Sequence, residues 1–260
     1  MNNRIQQAFA SKTNLLNTYF TAGYPRLHDT IPLAQALVEA GADILEIGMP
    51  FSDPLADGPV IQGSSSVALA NGMNLPVLFE QLKSLRATIP DTPVLLMGYL
   101  NPVMQFGVEE FCRQAAAVGV DGLILPDLPL DEYEELYQET FKKYGLKPVF
   151  LITPQTSEER IHRLDDLSEA FLYLVSGPGT TGGTTPTDTR AQQAYFDRIA
   201  ALKLKTPRLI GFGIANKAGF EHACQHAEGA IIGSALILAL ADADDAPAAA
   251  ARFVRGIKQA

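Results

Sequence analysis

Glu46 interrupts an apolar run, Ile44 to Ile47, that reads as a strand. Alternation along a strand puts its carboxylate on the face opposite Leu45 and Ile47. If both faces are covered, as in a parallel sheet, that carboxylate is buried and resists ionisation, so its pKa rises. A carboxyl tuned toward neutral pH can give a proton and take one back. The strand stops at Gly48, and the stretch from Met49 to Gly58 holds Pro50, Pro54, Asp53 and Asp57. That composition cannot be regular structure. Met49, Phe51 and Leu55 within it favour a packed loop over a disordered one. Asp57 is therefore a second carboxylate on the loop that leaves the strand of the first. The plainer alternatives are a structural ion pair for Glu46 and turn-forming roles for Asp53 and Asp57. For Asp53, which precedes Pro54, the turn is the better reading.

The elements that must position these groups repeat along the chain. Short apolar strands are expected at Asn14 to Phe20, Ile44 to Ile47, Val94 to Met97 and Gly122 to Leu125. Four more are expected at Val149 to Ile152, Phe171 to Val175, Arg208 to Ile210 and Gly229 to Ile232. Helical patterns follow each of them, with Asp29, Asp131 and Ser157 as expected caps and Gly41 and Gly145 as stops. The 260 residues divide into eight units of about 32, the size of a βα module. Strands without alternation indicate parallel strands buried on both faces. The expected architecture is an α/β fold, a single (β/α)8 TIM barrel of the phosphate-binding type spanning 1–260. Chemistry in such barrels sits at the C-terminal ends of the strands, where the loop holding Asp57 lies.

Three glycine clusters fall at that face: Gly182-Gly183, Gly211-Phe212-Gly213 and Gly233-Ser234, after strands six, seven and eight. Glycine lets backbone N–H groups approach phosphate oxygens closely. A helix starting at Ser234 would add its dipole and its hydroxyl. Three clusters at adjacent strand ends favour phosphate binding over ordinary turn chemistry. The near absence of Lys and Arg in them fits backbone capture of a small phosphoester.

Composition narrows the remaining classes. A net charge of −9 without a long basic run disfavours nucleic-acid and anionic-membrane partners. Cys112 and Cys224 lie far apart and no signal peptide opens the chain, which points to the cytoplasm. The longest apolar run, Gly229 to Ala241, is too short to span a bilayer. His222 and His226 have helical spacing but no evident third ligand, so no metal is expected. Asp242, Asp244 and Asp245 favour the start of the closing helix, in whose first turn Pro247 sits.

The run Leu45-Glu46-Ile47-Gly48 through Phe51-Ser52-Asp53-Pro54-Leu55-Ala56-Asp57-Gly58-Pro59 resembles the signature of the tryptophan synthase alpha-chain family. Tyr99, Asn101-Pro102, Pro126-Asp127-Leu128-Pro129, Gly211-Phe212-Gly213-Ile214 and Gly233-Ser234-Ala235 match it in order and spacing. The resemblance implies a lyase subunit that cleaves indole-3-glycerol phosphate to indole and glyceraldehyde 3-phosphate. It implies Glu46 and Asp57 as the catalytic pair and Phe20, Ile61, Tyr99, Ile124, Tyr173 and Phe212 as the indole slot. Thr181, Gly182, Gly211, Gly213, Gly233 and Ser234 would complete the substrate site. After Tyr173-Leu174-Val175-Ser176 the run Gly177-Pro178-Gly179-Thr180-Thr181-Gly182 lacks the arginine of the family pattern but keeps Thr181-Gly182, and Gly183 to Ala194 matches weakly. The loop Ser176 to Arg190 is expected to close over bound phosphoester. No cofactor is implied in this chain. Pyridoxal phosphate belongs to a partner beta chain, in an α2β2 heterotetramer that this face would dock, with Met104, Phe106 and Leu128 as contact residues.

Two alternatives stay open on the residues alone. One is a stand-alone indole-3-glycerol-phosphate lyase or another phosphate-binding barrel. The other is a non-catalytic barrel that binds indole and regulates a partner. Retention of both Glu46 and Asp57 weighs against the second.

Overall fold

A computed structural model describes residues 3–175, 189–211 and 213–259. Eight parallel strands close into a barrel in sequence order. They are β1 (Leu15–Thr21), β2 (Ile44–Gly48), β3 (Val94–Met97), β4 (Gly122–Ile124), β5 (Lys147–Ile152), β6 (Leu172–Val175), β7 (Arg208–Gly211) and β8 (Gly229–Ile232). All eight expected strands are present, with ends shifted by a residue or two. The barrel closes where Leu15 of β1 pairs with Gly229 of β8.

Two apolar layers follow from the two faces of the strands. Leu15, Ile44, Leu95, Ile124, Val149, Tyr173, Leu209 and Ile231 fill the barrel interior. Leu16, Phe20, Leu45, Ile47, Leu96, Leu172, Leu174, Ile210 and Ile232 pack outward against the helices. Burying each such side chain contributes on the order of 1.5–3 kcal/mol, so both layers are needed to hold the ring. Strands apolar on both faces are the direct record of this.

A helix at Arg4–Ser11, absent from the sequence reading, sits at the N-terminal end of the barrel. Asn3 caps it by accepting from the Gln6 amide at 2.8 Å. Its Ile5 and Ala8 join the interior cluster, and Phe9 meets Phe171 at 5.8 Å between ring centroids. Two expected caps are corrected. Asp29 ends a 3-10 turn and makes no capping hydrogen bond to the helix Thr30–Ala40. Asp131 lies inside the helical stretch that Leu130 opens, where Pro129 holds the cap position. Ser157 does cap its helix, accepting from the Arg160 amide at 3.3 Å. Asp245 caps the closing helix Ala246–Lys258 through the Ala248 amide at 2.9 Å. No described helix is long and apolar enough to cross a membrane.

Candidate active site

A cavity of about 220 Å³ opens at the C-terminal end of the barrel. Glu46, Asp57, Ile61, Tyr173, Gly213, Gly233 and Ser234 border it, drawn from β2, β6 and the segments after β2, β7 and β8. Tyr19, Met97, Ile214, Ala215, Ile231, Ala235 and Leu238 complete the wall. Among the described residues this lining holds no Lys, Arg or His.

Glu46 points inward because Leu45 and Ile47, its neighbours on β2, belong to the outer layer. It is fully buried. Burial pushes its carboxyl up to about 8, against the opposing pull of a hydrogen bond from Asn17. Asn17 Nδ2 donates to Glu46 Oε1 at 2.5 Å. Glu46 Oε2 has no hydrogen-bond partner among the described residues.

Asp57 reaches the cavity from the irregular loop between β2 and the helix Pro59–Ala70. Pro59 opens that helix at its first position, where a missing N–H costs nothing. Tyr99, just after β3, anchors the loop. Its phenol oxygen accepts from the amides of Ala56 at 3.0 Å and Asp57 at 3.2 Å. Burial pushes the Asp57 carboxyl up, and a hydrogen bond with Tyr99 holds it down. Tyr99 itself borders a smaller adjoining cavity that Asp57 also touches.

The expected indole-slot residues divide three ways. Ile61 and Tyr173 border the main cavity. Phe20 does not: it faces the helices, and its neighbour Tyr19 takes the inward position, paired in register with Glu46. Successive strand residues face opposite ways, so an error of one residue moves a side chain across the sheet. Ile124 belongs to the barrel interior but not to the cavity wall. Phe212, Thr181 and Gly182 lie outside the described residues, as does most of the expected closing segment.

Glycine serves two ends here. A Cβ on Gly48 would stand 2.2 Å from the Tyr19 hydroxyl, and one on Gly211 would stand 2.3 Å from the Tyr173 hydroxyl. Both glycines thus make room for inward tyrosines. Gly211 does not border the main cavity, whereas Gly213 and Gly233 do. Gly213, at φ +77°, faces open space at the cavity edge. The helix Ser234–Ala241 begins at the cavity, so its unpaired N-terminal amides are aimed at it. Tyr19 and Asn17 carried no sequence signal beyond lying on a strand, since chemistry and register were both needed to single them out.

The comparisons with known proteins bear on the family and the fold. The family model for the tryptophan synthase alpha chain matches residues 5–259. The tryptophan synthase alpha chain of Flavobacterium psychrophilum is 54% identical over 235 residues, covering 90% of this chain and 92% of that one. That of Parabacteroides distasonis is 47% identical over 258 residues, covering 99% and 100%. The crystal structure of the alpha subunit from Legionella pneumophila superposes with a TM-score of 0.87 at 34% identity, covering 99% and 97%. Sequence, barrel and relatives converge: this chain belongs to the tryptophan synthase alpha-chain family, and is a lyase subunit of tryptophan biosynthesis.

Proposed function

We propose that the cavity cleaves indole-3-glycerol phosphate by a retro-aldol reaction, with Glu46 moving the proton and Asp57 holding the indole N–H. The observation that carries this is a fully buried carboxyl, raised toward neutral pH, on the wall of a largely apolar cavity. Protonated Glu46 gives its proton to carbon 3 of the indole ring, and positive charge develops on the ring nitrogen. Asp57 as a carboxylate stabilises that charge as it forms. The bond from carbon 3 to the hydroxyl-bearing carbon then breaks, and its electron pair returns to the ring. The hydroxyl proton passes to Glu46, which ends as it began. Products are indole and glyceraldehyde 3-phosphate. A single group acting first as acid and then as base needs a pKa near the working pH, which burial supplies.

Tyr19, Ile61, Met97 and Tyr173 give the indole ring apolar walls. The phosphate sits at Gly213, Gly233 and the start of the helix Ser234–Ala241, where backbone amides and the helix dipole favour an anion. The wall needs no cation there. The chain itself needs no cofactor for this chemistry, and a barrel spanning the whole chain in the cytoplasm fits the reading.

The partner in this reading is a beta chain carrying pyridoxal phosphate, with an α2β2 assembly. Leu55, 85% exposed on the loop after β2, and Met104, 54% exposed, are apolar side chains suited to a contact. Phe106 and Leu128 are less suited than their loop positions implied. Phe106 packs on Phe79 at 5.6 Å, and Leu128 leans on the core. Measuring indole release from indole-3-glycerol phosphate by the isolated chain tests the activity, and no release above background would sink it. Adding the beta chain should raise the rate and give a heavier species on a sizing column.

A further inference from the structure

We propose that Asn17 is a positioning residue for the proton-transfer step: by donating to Glu46 Oε1 it reserves Oε2 as the oxygen that gives and takes the proton. The inference rests on the reading of Glu46 above and extends it to a residue that the cavity wall does not include. Asn17 lies on β1, two residues before Tyr19, on the inward face. Asn17 and Glu46 are both fully buried, and their side chains meet at 2.5 Å.

The hydrogen bond makes the two carboxyl oxygens unlike. Oε1 already accepts from an amide N–H, so a proton on the carboxyl belongs on Oε2, which has no partner among the described residues. An amide on a buried strand has little freedom to turn, so the plane of the carboxyl is fixed by it as well. The other groups facing Glu46 cannot take this part. Tyr19 on β1, Tyr173 on β6 and Asp57 on the loop after β2 are its titratable neighbours at the cavity. The residues facing it from β3 and β8 are Leu95 or Met97 and Ile231, all apolar. Among the described residues lining the cavity there is no cation to stabilise its carboxylate, which leaves Asn17 as the group that favours the ionised form.

The test compares the full chain with Asn17→Leu, which keeps the bulk and removes the donor, and Asn17→Asp, which replaces the donor by an acceptor. Glutamate side chains carry a ¹³C carboxyl label, and the Glu46 signal is the one missing from Glu46→Gln. In Asn17→Leu its titration should move upward by about one pH unit, as expected when a hydrogen bond to a charged group is lost. In Asn17→Asp it should move further, because two adjacent carboxyls share a proton. Protonated Glu46 is the acid, so the alkaline fall of kcat/KM should move up in step with the signal. The kcat should drop on the order of tenfold from misorientation while KM and glycerol phosphate affinity hold. An unmoved Glu46 signal in both variants, or a loss carried by KM and glycerol phosphate affinity, would overturn the assignment. Normal cleavage by Glu46→Gln would instead overturn the reading of Glu46 and with it any catalytic consequence of Asn17. The shifted signal would then still report the hydrogen bond, so the two failures are distinct.

Discussion

Asp43 and Glu46 lie three residues apart around one strand, yet their surroundings differ in almost every respect. Asp43 sits at the N-terminal end of the barrel. It accepts from Lys12 at 2.8 Å, from Lys258 at 2.6 Å and from the Leu16 amide at 2.9 Å. Burial alone would raise its pKa, but these three donors outweigh it and hold the carboxyl below its ordinary value. Asp121, just before β4, likewise accepts hydrogen bonds from Arg4 at 2.9 Å, Arg86 at 2.7 Å and the Val94 amide at 2.9 Å. Glu46, at the other end, has one neutral donor and is pushed up to about 8. One end of the barrel surrounds its carboxylates with cations and backbone amides that serve the fold. The other leaves a carboxyl short of partners, at a cost in stability that a proton-transfer site can use.

The sharpest way to break the contrast is to remove the proton from the C-terminal end. Glu46→Gln should lower indole release about 10²–10⁴-fold while the far-ultraviolet circular dichroism stays that of the parent. Next in size is the N-terminal end. Asp121→Ala removes the carboxylate shared by Arg4 and Arg86, which keep only backbone carbonyl partners, and takes away the Val94 amide's acceptor. It should cost about 3 kcal/mol in urea unfolding. Specific activity of the remaining folded protein should not change, because Asp121 is far along the barrel from the cavity wall.

The pH dependence of stability should carry opposite signs at the two ends. Asp43 has a depressed folded-state pKa, so its contribution is present above the ordinary carboxylate value near 4 and is lost as pH falls through the lower folded value. Glu46 has a raised one, so it disfavours the fold progressively as pH rises from about 4.5 to about 8. Glu46→Gln should therefore be more stable than the parent, by on the order of 1 kcal/mol or more at pH 9 and by little at pH 5. Equal thermal shifts at both pH values would contradict the buried, raised carboxyl. The smallest effect belongs to the outermost partner. Lys12, 52% exposed, should cost about 0.5 kcal/mol on change to Met, less than Lys258, which is 24% exposed.

Much of this was legible in the order of residues. Glu46 declared itself because a carboxylate within an apolar strand is costly unless used or paired, and Asp57 because its loop is too rich in proline and glycine to be anything else. The eight strands were legible for the same local reason. Phe20 shows where that reading stops. Residues 15–21 are buried on both faces, so hydrophobicity does not say which parity looks inward. Only pairing with β2 and β8 sets Tyr19 beside Glu46 and turns Phe20 to the helices. Gly211 has the same lesson, since its need for a bare backbone arises from Tyr173 on the neighbouring strand.

What the sequence by itself determined is local: strand and helix periods, the stops at glycine, the irregular loop after β2, and the presence of two carboxylates near one strand end. What only the tertiary structure decided is the company each group keeps. Nothing in the chain order distinguishes Asp43 from Glu46 by charge, yet Lys258, more than two hundred residues away, reaches one of them and no cation among the described residues reaches the other. A carboxyl's ionisation is set by the field and the donors around it. Those come from whichever strands and helices barrel closure brings within a few ångströms.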